Sequence, residues 1–251
     1  MVQGQTWLKA VLFDFDGVIM DSETSLYESW QRTYKAHGCT LPLDLWAANV
    51  GGYNYDVFDP LAYLEQQYGK PIDKDTVNTA RRACYLYHVN TLDAMPGVRD
   101  AIRTVKARGL KLAAVSSSSR NWVPVHLKRL GLYDLFDVVV CGDEAAAVKP
   151  DPALYYLALE RLHIKACEAF AVEDSPKGIA AARAASLYCL AVPNPVTRAC
   201  ELEGYDKKLY SLADQPFEGV LDEIEMAISN SLFKIFSPLL LILVTSSFLS
   251  I

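Results

Sequence analysis

The sequence predicts an α/β protein, a doubly wound and mostly parallel sheet with an α-helical cap inserted after its first strand. Short apolar runs carry the sheet: "KAVLFDF" (9–15), "KLAAVSS" (111–117), "DVVVC" (137–141), "AFAVED" (169–174) and "YCLAV" (188–192). Each is continuous rather than alternating in hydrophobicity, as strands buried on both faces are. Helical patterns fill the gaps between them, and strand–helix alternation is the signature of an open α/β sheet. The cap follows from a third observation. Between Ser22 and about Asp93 no buried strand is visible, only helical stretches.

Taken in order, the chain opens with "MVQGQTWLKA", which has no long apolar stretch, and no secretory signal is expected. The first strand then carries Asp14 and Asp16, one residue apart. Burying an unpaired carboxylate costs on the order of several kcal/mol, so this strand end needs a compensating partner. Gly17 and "MPG" (95–97) are the expected hinges of the cap, whose helices fall in "LYESWQRTYKAHG", "VFDPLAYLEQQYG" and "DTVNTARRACYLYHVNTL". "VRDAIRTVKARGL" has helical spacing and stops at Gly109. Asp151-Pro152 and Ser175-Pro176 each read as an N-cap followed by proline at the first helical position. The division expected is a Rossmann-like catalytic core over 1–21 and 94–230, a cap over 22–93, and an apolar tail over 231–251.

Composition bounds the function. With 251 residues, 51% hydrophobic and 22% charged, the chain can bury a sizeable core. A net charge of −6 without any basic run excludes a general nucleic-acid surface. Six scattered cysteines, with no C-x-x-C pair, read as small core residues of a reduced, cytoplasmic protein, expected to be a monomer. The tail "SLFKIFSPLLLILVTSSFLSI" approaches the length of a membrane span, about 20 residues, but Lys234 and Pro238 interrupt it. It reads as a membrane anchor or as a terminus that belongs to no fold. The second reading is favoured, because the preceding chain already forms a complete domain, so membrane contact is expected only through this tail.

Ligands of an open parallel sheet sit at the carboxyl ends of its strands. The first strand ends in Asp14 and Asp16, the second in Ser116 to Ser119, and the fourth in Glu173 and Asp174, while Lys149 lies in "VKPDP" after the third. Together they supply carboxylates, hydroxyls and one amine. Hard oxygen ligands in that number suit Mg²⁺.

"DFDGVIMDSE", "SSSS", "KPDP" and "EDSPKG" together resemble the four motifs of the haloacid dehalogenase superfamily, most of all its helical-cap phosphatase and β-phosphoglucomutase-like subgroup. The resemblance runs from about Lys9 to the acidic helix near Ile228. It implies a nucleophilic Asp14 that forms an aspartyl-phosphate, and Asp16 as the general acid and base. It further implies Ser116 holding the phosphoryl group, with the amides of the serine run, Ser117 foremost, as extra donors, and Lys149 neutralising its charge. Mg²⁺ would be held by Asp14, Asp16 through its backbone carbonyl, Glu173 and Asp174. The partner implied is a small phosphorylated metabolite of the sugar phosphate class.

Blander assignments cover the neighbouring residues. Asp21, Ser22 and Ser175 read as helix caps, and Ser118 and Ser119 as loop. The histidines show no metal-ligand spacing. Tyr53 and Tyr55 either line the substrate pocket or pack within the cap, and Arg81 and Arg82 either meet a distal substrate charge or form a solvated face. Two alternatives to a phosphatase are a β-phosphoglucomutase-like mutase and a non-catalytic, membrane-tethered interaction protein. The mutase has a cap histidine shortly after its first motif, where this chain has Leu26.

Overall fold

A computed structural model describes residues 7–48 and 58–230. Tyr53, Tyr55 and the tail over 231–251 lie outside the described residues. Six strands form one parallel sheet: β1 (Ala10–Phe13), β2 (Lys111–Val115), β3 (Val138–Val140), β4 (Ala169–Glu173), β5 (Tyr188–Ala191) and β6 (Lys207–Lys208). They lie in the order β3-β2-β1-β4-β5-β6. The first strand is central, paired in register with Lys111–Ala114 on one side and Ala169–Val172 on the other.

Alternate residues of β1 explain its continuous hydrophobicity. Val11 and Phe13 pack with α5 (Val98–Ala107), α6 (Val123–Arg129) and a helix over 217–230, through Ile102, Leu127 and Leu221. Ala10 and Leu12 face the other way, onto α7 (Ala153–Leu162) and α8 (Pro176–Ala184), through Leu154, Ala158 and Ile179. Both faces are covered, so neither set of positions is free to be polar.

The strand ladders end one or two residues before the apolar runs do. Phe15 is fully buried yet lies beyond β1, so burial outlasts backbone pairing there. The expected caps hold in part. Ser175 accepts a hydrogen bond from the Gly178 amide, whereas at α7 Pro152 occupies the N-cap and Asp151 accepts from the Ala153 amide.

The segment between β1 and α5 carries, in its described residues, the helices α1 (Ser22–Ala36), α2 (Leu43–Ala47), α3 (Pro60–Tyr68) and α4 (Lys74–Val89). It has its own apolar cluster, built on Tyr27, Trp30, Tyr34, Trp46 and Leu64. Its two connections to the core meet where the Met95 amide donates to the Ile19 carbonyl at 2.9 Å. Arg129 ties the same region by donating to the carbonyls of Leu92 (2.6 Å) and Val89 (3.3 Å).

Gly17 turns the chain out of β1 with φ +86°, and a Cβ there would collide with the Asp174 carboxylate and the Asn194 amide. Gly17→Ala should therefore cost about 3 kcal/mol, from left-handed backbone strain plus overpacking. Gly38, with φ +68° and open space around it, serves as the control and should cost only about 1 kcal/mol as alanine. Equal losses in urea denaturation would show that Gly17 is a turn residue without a role in the site.

Candidate active site

The carboxyl edge of the sheet gathers the residues singled out in the sequence into two adjoining groups. In the first, Asp14 continues β1, its amide donating to the Val172 carbonyl of β4 at 2.9 Å. Lys149 reaches in from the loop after β3. Its buried Nζ donates to Asp14 Oδ1 (2.5 Å), Glu173 Oε1 (2.7 Å) and the Val115 carbonyl (2.8 Å). Ligand atoms of Asp14, Glu173 and Asp174 all lie within 4.8 Å of one another, and all three residues are buried. Asp174 Oδ2 accepts from Asn194 Nδ2 at 2.5 Å.

This group is short of positive charge. Three carboxylates face one ammonium in a buried site. Burial pushes the Asp14 carboxyl up to about 8, with Lys149 pulling the other way. Burial also raises Asp174 well above the carboxylate range, and Asp14 and Glu173 add to the rise. Burial opposes the charge on Lys149, but Asp14 and Glu173 outweigh it and hold the ammonium above the ordinary lysine range.

A cation would close the deficit. Glu173 commits Oε1 to Lys149 and to the Tyr155 hydroxyl, while its buried Oε2 has no hydrogen-bond partner among the described residues. A buried polar atom left bare is costly and calls for an explanation. Hard oxygen donors, an excess of two negative charges and that bare oxygen together fit a divalent metal ion.

The second group surrounds Asp16, whose carboxylate is held by four donors. Ser22 Oγ (2.6 Å) and Trp122 Nε1 (2.9 Å) donate to Oδ1, and Ser118 Oγ (2.6 Å) and Ser116 Oγ (3.3 Å) to Oδ2. Ser116 is buried and also accepts from the Ser118 amide at 3.0 Å. Ser117 sits beside them, but its buried hydroxyl has no partner among the described residues. A cavity of about 300 Å³ opens over this group. Its core wall is Asp16, Ser118 and Trp122; its cap wall includes Glu23 and Leu26 on α1 and Arg81 and Tyr85 on α4.

Several participants carry no signal of chemistry in the sequence. Ser22 is a partner of Asp16, and the cap of α1 is Asp21, which accepts from the Thr24 amide. Ser118 binds Asp16 rather than serving as plain loop. Tyr155 sits in an ordinary helical pattern, and Asn194 and Trp122 in unremarked loops; only a three-dimensional neighbour reveals them.

Comparison with known proteins agrees with this geometry. The sequence model of one family, haloacid dehalogenase-like hydrolase, matches residues 11–192. YhcW of Bacillus subtilis, named as a candidate phosphatase, is 39% identical over 217 residues, covering 86% of this chain and 98% of its own. The phosphorylated carbohydrates phosphatase of Thermotoga maritima is 31% identical over 190 residues, covering 72% of this chain and 82% of its own. A solved structure from Thermotoga maritima, titled as a candidate β-phosphoglucomutase, is 28% identical. It superposes with a TM-score of 0.68, covering 86% of this chain and all of that one.

Because Lys149 is the one cation hydrogen-bonded to Asp14 and Glu173 among the described residues, Lys149→Met should be strongly destabilising. Removing one partner of a buried ionic group costs about 3–5 kcal/mol. Urea denaturation at neutral pH, without added divalent cation, measures it. A loss below about 1 kcal/mol would mean that Lys149 does not balance these carboxylates.

Proposed function

The chain belongs to the haloacid dehalogenase-like hydrolase family and is a phosphatase; we propose that it hydrolyses small sugar phosphates with Mg²⁺ through an aspartyl-phosphate on Asp14. The observation that carries this reading is Lys149 joining Asp14 to Glu173 at the sheet edge, with Asp16 next to them facing a cavity.

In the first step Asp14 attacks phosphorus, and the bond to the sugar oxygen breaks. Asp16 gives that oxygen its proton. In the second step Asp16 takes a proton from water as the water attacks the aspartyl-phosphate, which releases inorganic phosphate and restores Asp14. Ser116 donates to the phosphoryl oxygens through its hydroxyl, and Ser117 through its backbone amide. Lys149 stabilises the charge that Asp14 shares with the phosphoryl group. Asp14, Glu173, Asp174 and the backbone carbonyl of Asp16 would hold Mg²⁺, which would supply Lewis-acid charge neutralisation and oppose the rise that burial gives the Asp14 carboxyl.

The cap wall supports a polyhydroxylated leaving group. Glu23, Arg81 and Tyr85 offer acceptors and donors for hydroxyls, and Leu26 and Leu86 offer apolar surface. Leu26 also bears on the mutase alternative. It occupies the place of the mutase's cap histidine and lines the cavity, where it can neither accept nor donate a proton. The phosphorylated carbohydrates named for the Thermotoga maritima relative agree with this substrate class. The expected monomeric, cytoplasmic state and the cap boundaries at 22–93 belong to the same reading.

A panel of phosphorylated sugars, polyols and phosphoglycolate, assayed with Mg²⁺, tests the proposal. Sugar phosphates should be preferred, a chelator should abolish turnover, and Asp14→Asn should reduce kcat to background while the melting temperature holds. Full activity of Asp14→Asn, or of the chelated enzyme, would refute the mechanism.

A further inference from the structure

The indole of Trp122 occupies an unusual junction. It sits at the N-terminal end of α6, where its amide donates to the Ser119 carbonyl at 2.9 Å, so the serine loop fixes its backbone. Its Nε1–H donates to Asp16 Oδ1 at 2.9 Å. Its ring stacks on Tyr85 of α4, with centroids 5.7 Å apart and planes 16° apart, while His126 meets its edge at 4.2 Å. Tyr85 in turn packs against both the core cluster and the cap cluster. One ring thus touches the cap, and its N–H touches the catalytic carboxylate.

We propose that Trp122 is a positioning residue that selects which oxygen of Asp16 carries the transferable proton, and that its stack on Tyr85 makes this depend on the cap. The inference rests on the reading of Asp16 as acid and base. Indole nitrogen only donates, so Oδ1 must remain an acceptor as long as Trp122 points at it. A proton on Oδ1 would make that oxygen the poorer acceptor and weaken the bond from Trp122, which, unlike the Ser22 hydroxyl on the same oxygen, cannot reverse its direction. The proton therefore goes to Oδ2, whose partners Ser116 and Ser118 are hydroxyls able to turn and accept. In the first step the O–H bond at Oδ2 breaks as the proton passes to the leaving sugar oxygen; in the second, Oδ2 takes one proton back from the attacking water. A shift of α4 that parts Tyr85 from Trp122 frees the indole to rotate and removes the constraint.

Trp122→Phe keeps the stacked ring and deletes the N–H; Tyr85→Leu keeps the N–H and deletes the stack. With a sugar phosphate, Trp122→Phe should lower kcat about tenfold, the worth of one hydrogen bond to an ionised carboxylate, and leave KM within about twofold. With an aryl phosphate, whose leaving group needs no proton, the burst rate of Asp14 phosphorylation should be unchanged. Tyr85→Leu should lower kcat in the same direction and, because it also removes a hydroxyl that faces the substrate, raise KM; combining it with Trp122→Phe should lower kcat no further. In an Asp16→Ala background, Trp122→Phe should have no effect. Unchanged kcat for Trp122→Phe, equal losses on both substrates, or the same loss without Asp16 would overturn the assignment. If Asp16→Ala itself retained full turnover, the acid–base reading would fall first and the assignment with it.

Discussion

Charge balance at the carboxyl edge of the sheet governs this structure. Asp14, Glu173 and Asp174 come from the ends of two neighbouring strands, β1 and β4, and are buried within 4.8 Å of one another. Among the described residues Lys149 is the one cation hydrogen-bonded to them, through Asp14 and Glu173, with a third bond to the Val115 carbonyl. Burial raises the Asp14 and Asp174 carboxyls, and the neighbouring carboxylates add to the rise. A structural protein would gain by replacing such a cluster with apolar side chains. Keeping it makes sense when a cation and a phosphoryl group complete it.

The backbone makes room for this arrangement at two glycines. At Gly17 any side chain would strike Asp174, and at Gly178 it would strike the Glu173 carboxylate. Gly178 lies in the first turn of α8, where Ser175 caps the helix, so the strand end, the cap and the open space around Glu173 form one unit. The cap domain closes the other side. Its aromatic cluster takes in Val196 from the loop after β5, and Cys200 donates to the Ala47 carbonyl, while Trp122 and Tyr85 make a further contact next to Asp16.

Much of this was legible in the sequence because the strands are buried on both faces. Continuous apolar runs found five of the six strands, and the polar residues that interrupted their ends were the site itself. β6 escaped notice because it is only Lys207–Lys208 and has no apolar run at all. Asp14, Glu173 and Asp174 at strand ends, and Lys149 in the loop after β3, each have a bland explanation when taken alone; their joint occurrence in order along the chain is what singled them out. Tyr155, Asn194 and Trp122 do have cheap explanations, as a helical aromatic and two loop residues, and pattern alone cannot separate them from packing. Ser22 shows the same limit: a serine beside a helix start reads as a cap, yet its hydroxyl goes to Asp16 while Asp21 does the capping.

Covalent chemistry at Asp14 is the claim on which the functional account turns, and it can be read directly. Enzyme mixed with a sugar phosphate and Mg²⁺ is quenched in acid within the first turnover, digested, and its peptides examined by mass spectrometry. The account predicts a single phosphoryl group on the peptide containing Asp14, rising before inorganic phosphate appears and decaying as it accumulates. Inorganic phosphate released at full rate, with no phosphorylated peptide at any time point, would contradict it.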